Sequence, residues 1–147
     1  MINRDHDPSV ELFKKTCTQK GLKITPQRIA IYEEILEATD HPSADVLYKR
    51  VRKTLPNISF DTVYRTLLSL VGLGIIKLVK SYDGRKRFEP NIQNHHHCIC
   101  IKCQKIIDFC DEGYDSMQIP KMLCGQFQVI NKRVVLEGIC SDCKGKK

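Results

Sequence analysis

The sequence predicts an α+β protein, in which an N-terminal winged helix-turn-helix is followed by a small α/β dimerisation domain. Four helical patterns and a basic hairpin pattern occupy the first 90 residues. A histidine cluster and two cysteine pairs then frame a β-rich stretch. The expected domains are therefore residues 1–90 and 91–147, with a linker at residues 90–94.

Length and composition restrict the class of protein. The chain has 147 residues, 41% of them hydrophobic, which is enough for one or two small cores. It has no run of about 18 apolar residues, so no membrane span is expected. Residues 1–8 lack the apolar stretch of a signal peptide, so we expect a cytoplasmic protein with reduced thiols. Paired cysteines in such a protein are more often metal ligands or redox groups than disulfides.

The positive charge is concentrated in the first part of the chain. The net charge is +7 and the pI is near 9.0. Residues 1–90 contain 16 Lys and Arg against 11 Asp and Glu, whereas residues 91–147 contain 8 against 6. This distribution favours a polyanionic partner, nucleic acid first, although solubility alone would be served by the same charge.

Three helices are expected before residue 54. The first covers residues 10–20 and stops at Gly21. Thr25 is a suitable N-cap and Pro26 a suitable first residue for the second helix. Ser43 can cap the third helix, which should run to about residue 53.

A fourth helix, capped by Ser59 and covering residues 61–71, has the properties of a recognition helix. The residues expected to face the core are Val63, Leu67, Leu68 and Leu70. The residues expected on the opposite face are Thr62, Arg65, Thr66 and Ser69. A helical bundle with a solvated polar face would produce a similar pattern, but helix order, hairpin and charge together favour the winged helix.

A basic hairpin follows the fourth helix. Residues 75–80 and 85–89 have strand patterns, and Asp83-Gly84 is a turn signal. The basic residues expected to line this wing near DNA phosphates are Lys77, Lys80, Arg85, Lys86 and Arg87.

The second domain is predicted to be a small α/β unit. Strands are expected at residues 97–101 and 105–110, with a knuckle between them at 102–104. A short helix is expected at 115–123, limited by Pro120, and a β-rich run at 127–139. Exposed strand edges of this kind commonly pair across a two-fold axis, which predicts a homodimer.

Two C-x-x-C pairs are the strongest chemical signal. Cys100 with Cys103 and Cys140 with Cys143 supply four thiolates, the number that a closed tetrahedral zinc site needs. One such pair could be a redox dithiol, but two favour structural Zn²⁺. Cys98 is an alternative ligand, and the other cysteines (Cys17, Cys110 and Cys124) are expected to be buried small hydrophobic residues.

The histidine cluster predicts a second metal site. In an extended strand His95 and His97 share one face while His96 points away. With Asp108 on the next strand, nitrogen and oxygen ligands would suit Fe²⁺, Mn²⁺ or Zn²⁺. Glu89 and His41 could complete this site from the first domain, although a lone histidine such as His41 is more often an ordinary loop residue.

Several motifs together resemble the ferric uptake regulator family. They are GLKITPQR at residues 21–28, HPSAD at 41–45, DTVYRTL at 61–67, and His95-x-His97-x-x-Cys100-x-x-Cys103 with Cys140-x-x-Cys143. The resemblance covers about residues 10–143. It implies a homodimeric, metal-dependent repressor that binds a palindromic operator in double-stranded DNA.

The resemblance also implies roles for particular residues. Structural zinc would be held by Cys100, Cys103, Cys140 and Cys143. Regulatory Fe²⁺ or Mn²⁺ would be held by His41, Glu89, His95, His97 and Asp108. The residues expected to contact DNA are Arg28, Ser59, Thr62, Tyr64, Arg65, Lys77 and Arg85.

The branch of the family is indicated by few positions. Asp108 and the motif at residues 25–28 resemble the peroxide-sensing branch, whereas Glu89 resembles the iron-sensing branch. In the peroxide-sensing branch a ligand histidine, here expected to be His41 or His95, is oxidised when Fe²⁺ meets peroxide. The alternative is an iron-uptake repressor that responds to Fe²⁺.

Two other classes of protein are alternatives to a DNA-binding repressor. A metalloenzyme would need a catalytic motif, and the sequence has no H-E-x-x-H, nucleophile elbow or phosphate loop, so no catalytic residues are expected. A zinc-containing adaptor that binds protein is the other alternative. Salt dependence would distinguish it from a DNA-binding protein.

Overall fold

The computed structural model describes residues 8–81 and 83–146, so most of the segment considered for a signal peptide lies outside the described residues. The chain divides into two compact units, Met1–Ile92 and Gln93–Lys147. No helix in the described ranges is long and apolar enough to cross a membrane.

The first unit begins with four helices. They are α1 (Pro8–Gln19), α2 (Pro26–Glu37), α3 (Ala44–Val51) and α4 (Phe60–Gly72). The second and fourth start with the side-chain caps that the sequence predicts, whereas Ser43 precedes the third without forming the side-chain cap hydrogen bond expected of it. The Thr25 hydroxyl accepts a hydrogen bond from the Arg28 N–H at the start of α2. The Ser59 hydroxyl accepts one from the Thr62 N–H at the start of α4. These caps satisfy N–H groups that have no partner within the helix.

The buried face of α4 differs from the prediction at two positions. The buried residues are Val63, Thr66, Leu67 and Leu70, which follow the helical spacing of one face. Thr66 was expected on the polar face but is buried, and Leu68 was expected inside but is 37% exposed. Leu68 follows Leu67 by one residue, a rotation of about 100°, which turns its side chain out of the core.

The wing packs onto these helices through Phe88 and Leu78. Strands β1 (Lys77–Lys80) and β2 (Lys86–Glu89) are antiparallel, with Lys77 opposite Glu89. Gly84 adopts φ +77° in the turn between them, a conformation that glycine reaches without strain. Phe88 is fully buried in the same core as Phe13.

The second unit is built on a three-stranded sheet. Its strands are β3 (His96–Cys100), β4 (Ile106–Phe109) and β5 (Val135–Gly138), in the order β4-β3-β5. Strand β3 pairs antiparallel with β4 and parallel with β5. Strand β3 is therefore the central strand of this sheet.

Two predicted elements of the second unit were wrong in extent. The helix expected at residues 115–123 is instead α5 (Glu112–Asp115) and a separate 3₁₀ turn, Lys121–Leu123. Asp111 starts α5 early because its carboxylate accepts the Tyr114 N–H, and Pro120 cannot continue a helix. Within the β-rich run expected at 127–139 the strand is limited to β5, because pairing with β3 begins only at Val135.

The second unit buries few apolar side chains. Its buried hydrophobic residues, among those described, are Ile99, Cys100 and Ile106. Small units with so little apolar burial generally need a metal or a partner for stability.

Candidate metal centres

Two tight chain reversals bring four cysteines together in the second unit. At the first reversal the Gln104 N–H donates to the Cys100 carbonyl at 2.9 Å, and at the second the Cys143 N–H donates to the Cys140 carbonyl at 3.0 Å. The sulfur atoms of Cys100, Cys103, Cys140 and Cys143 all lie within 4.8 Å of one another.

The spacing of these sulfur atoms suits zinc. A tetrahedral ion with Zn–S bonds of about 2.3 Å has S···S edges of about 3.8 Å. The Cys103 and Cys140 sulfur atoms are 3.7 Å apart. The site therefore has the donor type, donor number and spacing of a closed zinc site.

The surrounding N–H groups and thiols shift the pKa values of two of the four cysteines in opposite directions. The backbone N–H groups of Cys140 and Cys103 lower the pKa of Cys100 to about 6. The Cys140 N–H lies 3.4 Å from the Cys100 sulfur. Hydrogen bonding with the neighbouring thiols, Cys140 first, raises the pKa of Cys143 to about 12. Because zinc binds cysteines as thiolates, the lowered pKa of Cys100 favours metal binding and the raised pKa of Cys143 opposes it.

The remaining cysteines differ from the prediction. Cys17 is buried, but Cys110 and Cys124 are exposed, so the expectation that both would be buried was wrong. Cys110 directly follows the end of β4 and Cys124 follows the 3₁₀ turn, so both lie outside the paired strands of the sheet. Cys98 is half-buried and lies outside the group of four.

A second donor set lies on the other end of β3. The Asp108 carboxylate oxygen Oδ1 is 3.1 Å from His97 Nε2 and 3.5 Å from His95 Nε2. The two imidazole rings meet edge to face at 4.7 Å. His97 and Asp108 are paired across β3 and β4, which places their side chains on the same face of the sheet.

His96 points to the opposite face of β3, as strand alternation predicts. Its Nε2 atom is 2.9 Å from the Asp115 carboxylate. Sequence reasoning gave Asp115 no role, because its distance of 19 residues from His96 carries no local signal.

The first unit contains a buried imidazole–carboxylate pair. His41 Nε2 and Glu89 Oε2 are 3.0 Å apart, and the side chains are only 6% and 2% exposed. Glu89 is the last residue of β2, and His41 lies in the loop before α3. Carboxylate and imidazole side chains are seldom buried without a partner or a metal.

The backbone around His41 is held from both sides. His41 adopts φ +49°, in the left-handed region that non-glycine residues seldom occupy. Arg50 donates two hydrogen bonds, of 3.1 and 2.5 Å, to Asp40, and it lowers the pKa of that carboxyl group. The Pro42 carbonyl accepts the Phe88 N–H at 3.0 Å. Strained backbone of this kind tends to occur at functional sites.

The residues predicted to contact DNA fall into two groups. Arg28, Thr62 and Arg65 line one groove between the start of α2 and the outer face of α4. Ser59, Tyr64, Lys77 and Arg85 lie outside the lining of this groove. The Lys86 ammonium group lies 3.5 Å from the Tyr64 hydroxyl, which brings the wing close to α4.

Sequence reasoning missed an acidic residue in the same groove. Asp61 lines it and forms an ion pair with Arg65, with Nε 3.0 Å from the carboxylate oxygen. The i,i+4 spacing of an aspartate and an arginine on a helix is the signal that could have predicted this pair.

These features define a metal-binding winged-helix protein. Residues 19–137 match the ferric uptake regulator family, and the chain belongs to this family. The resemblance noted in the sequence is thereby confirmed.

Curated relatives cover nearly the whole chain. The peroxide-responsive repressor PerR of Staphylococcus epidermidis is 34% identical over 143 residues, which are 97% of this chain and 93% of that protein. PerR of Staphylococcus aureus is 35% identical over 128 residues, with 87% and 86% covered.

Solved structures share the fold. A structure of PerR from Streptococcus pyogenes, described as a basis for peroxide sensing and gene regulation, is 33% identical with a TM-score of 0.54, and 92% of each chain is covered. The ferric uptake regulator of Vibrio cholerae is 29% identical with a TM-score of 0.67, covering 86% of this chain and 98% of that one. The ferric uptake regulator of Helicobacter pylori has a TM-score of 0.80 at 24% identity, with 95% and 93% covered, and supports the fold alone.

Proposed function

We propose that this chain is a cytoplasmic, homodimeric transcriptional repressor that binds palindromic DNA when metal is bound and releases it after reaction with peroxide. The observation that carries this function is an imidazole–carboxylate set in each unit, in which His41, Glu89 and His97 are buried and Asp108 is 36% exposed. His41 and Glu89 lie 3.0 Å apart in the first, and His97 and Asp108 lie 3.1 Å apart in the second. The similarity to peroxide-responsive repressors over 97% of the chain supports the peroxide-sensing branch of the family.

In this proposal Zn²⁺ is held by Cys100, Cys103, Cys140 and Cys143 and has a structural role. The S···S distance of 3.7 Å supports a tetrahedral ion. The two reversals join the start and the end of the second unit, so the bound ion stabilises a unit that buries few apolar side chains.

The regulatory ligands are proposed to be His41 and Glu89 of the first unit with His95, His97 and Asp108 of the second. Nitrogen and oxygen donors of this kind suit Fe²⁺ or Mn²⁺. One ion bound by residues of both units would fix the separation of the two recognition helices in a dimer. Palindromic half-sites lie about 34 Å apart, or a multiple of that, so a fixed separation is needed for tight binding.

The proposed DNA contacts come from the groove, from α4 and from the wing. The residues are Arg28, Ser59, Thr62, Tyr64, Arg65, Lys77 and Arg85. In the free protein Arg65 pairs with Asp61, and both side chains are largely exposed. An exposed pair of this kind contributes little to stability, so Arg65 can exchange it for a phosphate or base contact at low cost.

Release of DNA in response to peroxide is proposed to follow from oxidation of His41 or His95. One oxygen atom of hydrogen peroxide is inserted into an imidazole C–H bond, and the other leaves as water. Bound Fe²⁺ supplies the redox chemistry for this step. Each site reacts once, so we propose a sensor without catalytic turnover rather than an enzyme.

The presence of Glu89 favours a second candidate, an iron-uptake repressor. Glu89 is 2% exposed and paired with His41, so the first unit accommodates a glutamate side chain, which is longer than that of aspartate. Such a repressor would bind DNA when Fe²⁺ occupies the site and release DNA when Fe²⁺ is lost. His41 and His95 would stay unmodified.

Operator binding with and without metal tests the proposed function. A palindromic operator should bind more tightly with Mn²⁺ than with chelator, because metal that binds only one arrangement of the units shifts the population toward it. Binding should also weaken steeply as salt rises, since phosphate contacts release counterions. Asp108→Ala should abolish the Mn²⁺ effect, and Glu137→Gln, on exposed β5, should retain it.

Equal affinity with chelator and with Mn²⁺ would contradict metal control. Binding to DNA that does not respond to salt would instead favour the adaptor that binds protein.

A further inference from the structure

We propose that His96, anchored by Asp115 and Val134, is a positioning residue for the metal-binding histidines on either side of it. This inference deepens the proposed function, because it assumes that His95 and His97 bind the regulatory ion. His96 itself would not bind that ion.

Both ring nitrogens of His96 already have partners. The Nδ1 atom accepts a hydrogen bond from the Val134 N–H at 3.0 Å. A neutral imidazole that accepts at Nδ1 carries its proton at Nε2, and this Nε2 lies 2.9 Å from the Asp115 carboxylate. The ring is therefore fixed in one tautomer and one orientation.

The ring is also enclosed. His96 is 0% exposed, and its ring contacts those of Phe109 and Tyr114 at centroid distances of 5.5 and 5.8 Å. A buried imidazole with two specific partners allows fewer arrangements than a leucine of similar size, because rotation would leave buried polar groups unpaired.

Val134 connects the His96 ring to the backbone beside it. Its N–H binds the His96 ring, and its carbonyl accepts the His97 N–H at 3.1 Å. Pairing of β3 with β5 starts at the next residue, where His97 lies opposite Val135. The His96 ring thus fixes the position at which β5 joins β3.

The consequence for metal binding follows from strand alternation. His95 and His97 lie on the face opposite His96, so a rotation of β3 about its axis would move all three rings together. With His96 anchored, His97 Nε2 and His95 Nε2 stay 3.1 and 3.5 Å from the same Asp108 oxygen. Groups that orient metal ligands typically contribute about 10–100-fold to metal affinity.

Three substitutions separate the two hydrogen bonds. His96→Asn keeps an acceptor near the Nδ1 position, His96→Gln keeps a donor near the Nε2 position, and His96→Leu removes both. Phe109→Leu is the matched control, because it alters the packing of the same ring without removing a hydrogen bond of His96.

The test measures Mn²⁺ affinity and stoichiometry, zinc content and the thermal midpoint of the zinc-loaded protein. We expect His96→Leu to weaken Mn²⁺ binding about 10–100-fold, with partial retention in His96→Asn and His96→Gln and with unchanged zinc content. Phe109→Leu should lower the thermal midpoint with little change in Mn²⁺ affinity.

If the wild-type protein binds Mn²⁺, three results would overturn this inference. The first is unchanged Mn²⁺ affinity in His96→Leu. The second is an affinity loss that follows the thermal midpoint in every variant, Phe109→Leu included. The third is loss of a whole equivalent of Mn²⁺ with the remaining affinity unchanged, since His96 would then be a ligand. Failure of the wild type to bind Mn²⁺ would instead contradict the proposed function.

Discussion

Replacing one proposed zinc ligand, Cys143→Ser, should destabilise the second unit and spare the first. Structural zinc binds with an apparent free energy of about 10–16 kcal/mol, so one thiolate in four contributes roughly 2.5–4 kcal/mol. This corresponds to a loss of about 10²–10³-fold in zinc affinity. The second unit has little to compensate, because Ile99 and Ile106 are its buried aliphatic side chains among the residues described.

Zinc competition with a chromophoric chelator would measure the affinity, and amide hydrogen exchange would locate the destabilised region. Cys110→Ser is the matched control, because Cys110 is an exposed thiol of the same unit outside the group of four. We expect faster exchange in β3 and β5 of Cys143→Ser and protected helices in the first unit. Equal zinc affinity in the two serine variants, or equal loss of protection in both units, would refute this reasoning.

Three further predictions concern pH, the loop before α3 and the core. Above pH of about 6, zinc affinity should rise by about tenfold per pH unit for each proton displaced, because the pKa of Cys143 is raised. Below pH of about 6, zinc affinity should fall more steeply as the pH is lowered, because Cys100 also becomes protonated. Zinc competition with a chelator at several pH values measures both effects. Arg50→Ala should weaken Mn²⁺ binding, because it releases the loop that carries His41, and Arg50→Lys should restore part of the affinity in the same titration. Leu67→Ala should lower the free energy of unfolding of the first unit by about 2–5 kcal/mol and Leu68→Ala by less than about 1 kcal/mol, as measured by urea denaturation.

The local signals in the sequence predicted much of the first unit. Helix starts depend on neighbouring residues, so Thr25 and Ser59 could be recognised as caps without knowledge of the fold. The alternation of a strand likewise predicted that His95 and His97 would share a face and that His96 would not.

Features that depend on tertiary packing could not be predicted. The burial of Thr66 and the exposure of Leu68 depend on how α4 rotates against its neighbours. The left-handed backbone of His41 is held by contacts from Arg50, on the following helix, and from Phe88, which is distant in the sequence. The exposure of Cys110 depends on its place just beyond the end of β4 in a unit that buries few apolar side chains among the residues described.

The partners of His96 were hidden for the same reason. Asp115 and Val134 come from two other segments, and both meet the ring only after the second unit has folded. The histidine run was visible in the sequence, but the anchoring role of its middle member follows only from these contacts.

One experiment tests metal-dependent peroxide sensing most directly. The anaerobically purified protein would be loaded with Fe²⁺ or with Mn²⁺, and operator binding would be measured before and after a brief pulse of peroxide, with peptide mapping of the same samples. We predict loss of binding in the Fe²⁺ form alone, with one added oxygen on His41 or His95. Retention of binding by the Fe²⁺ form, with both histidines unmodified, would contradict peroxide sensing and leave the iron-responsive repressor.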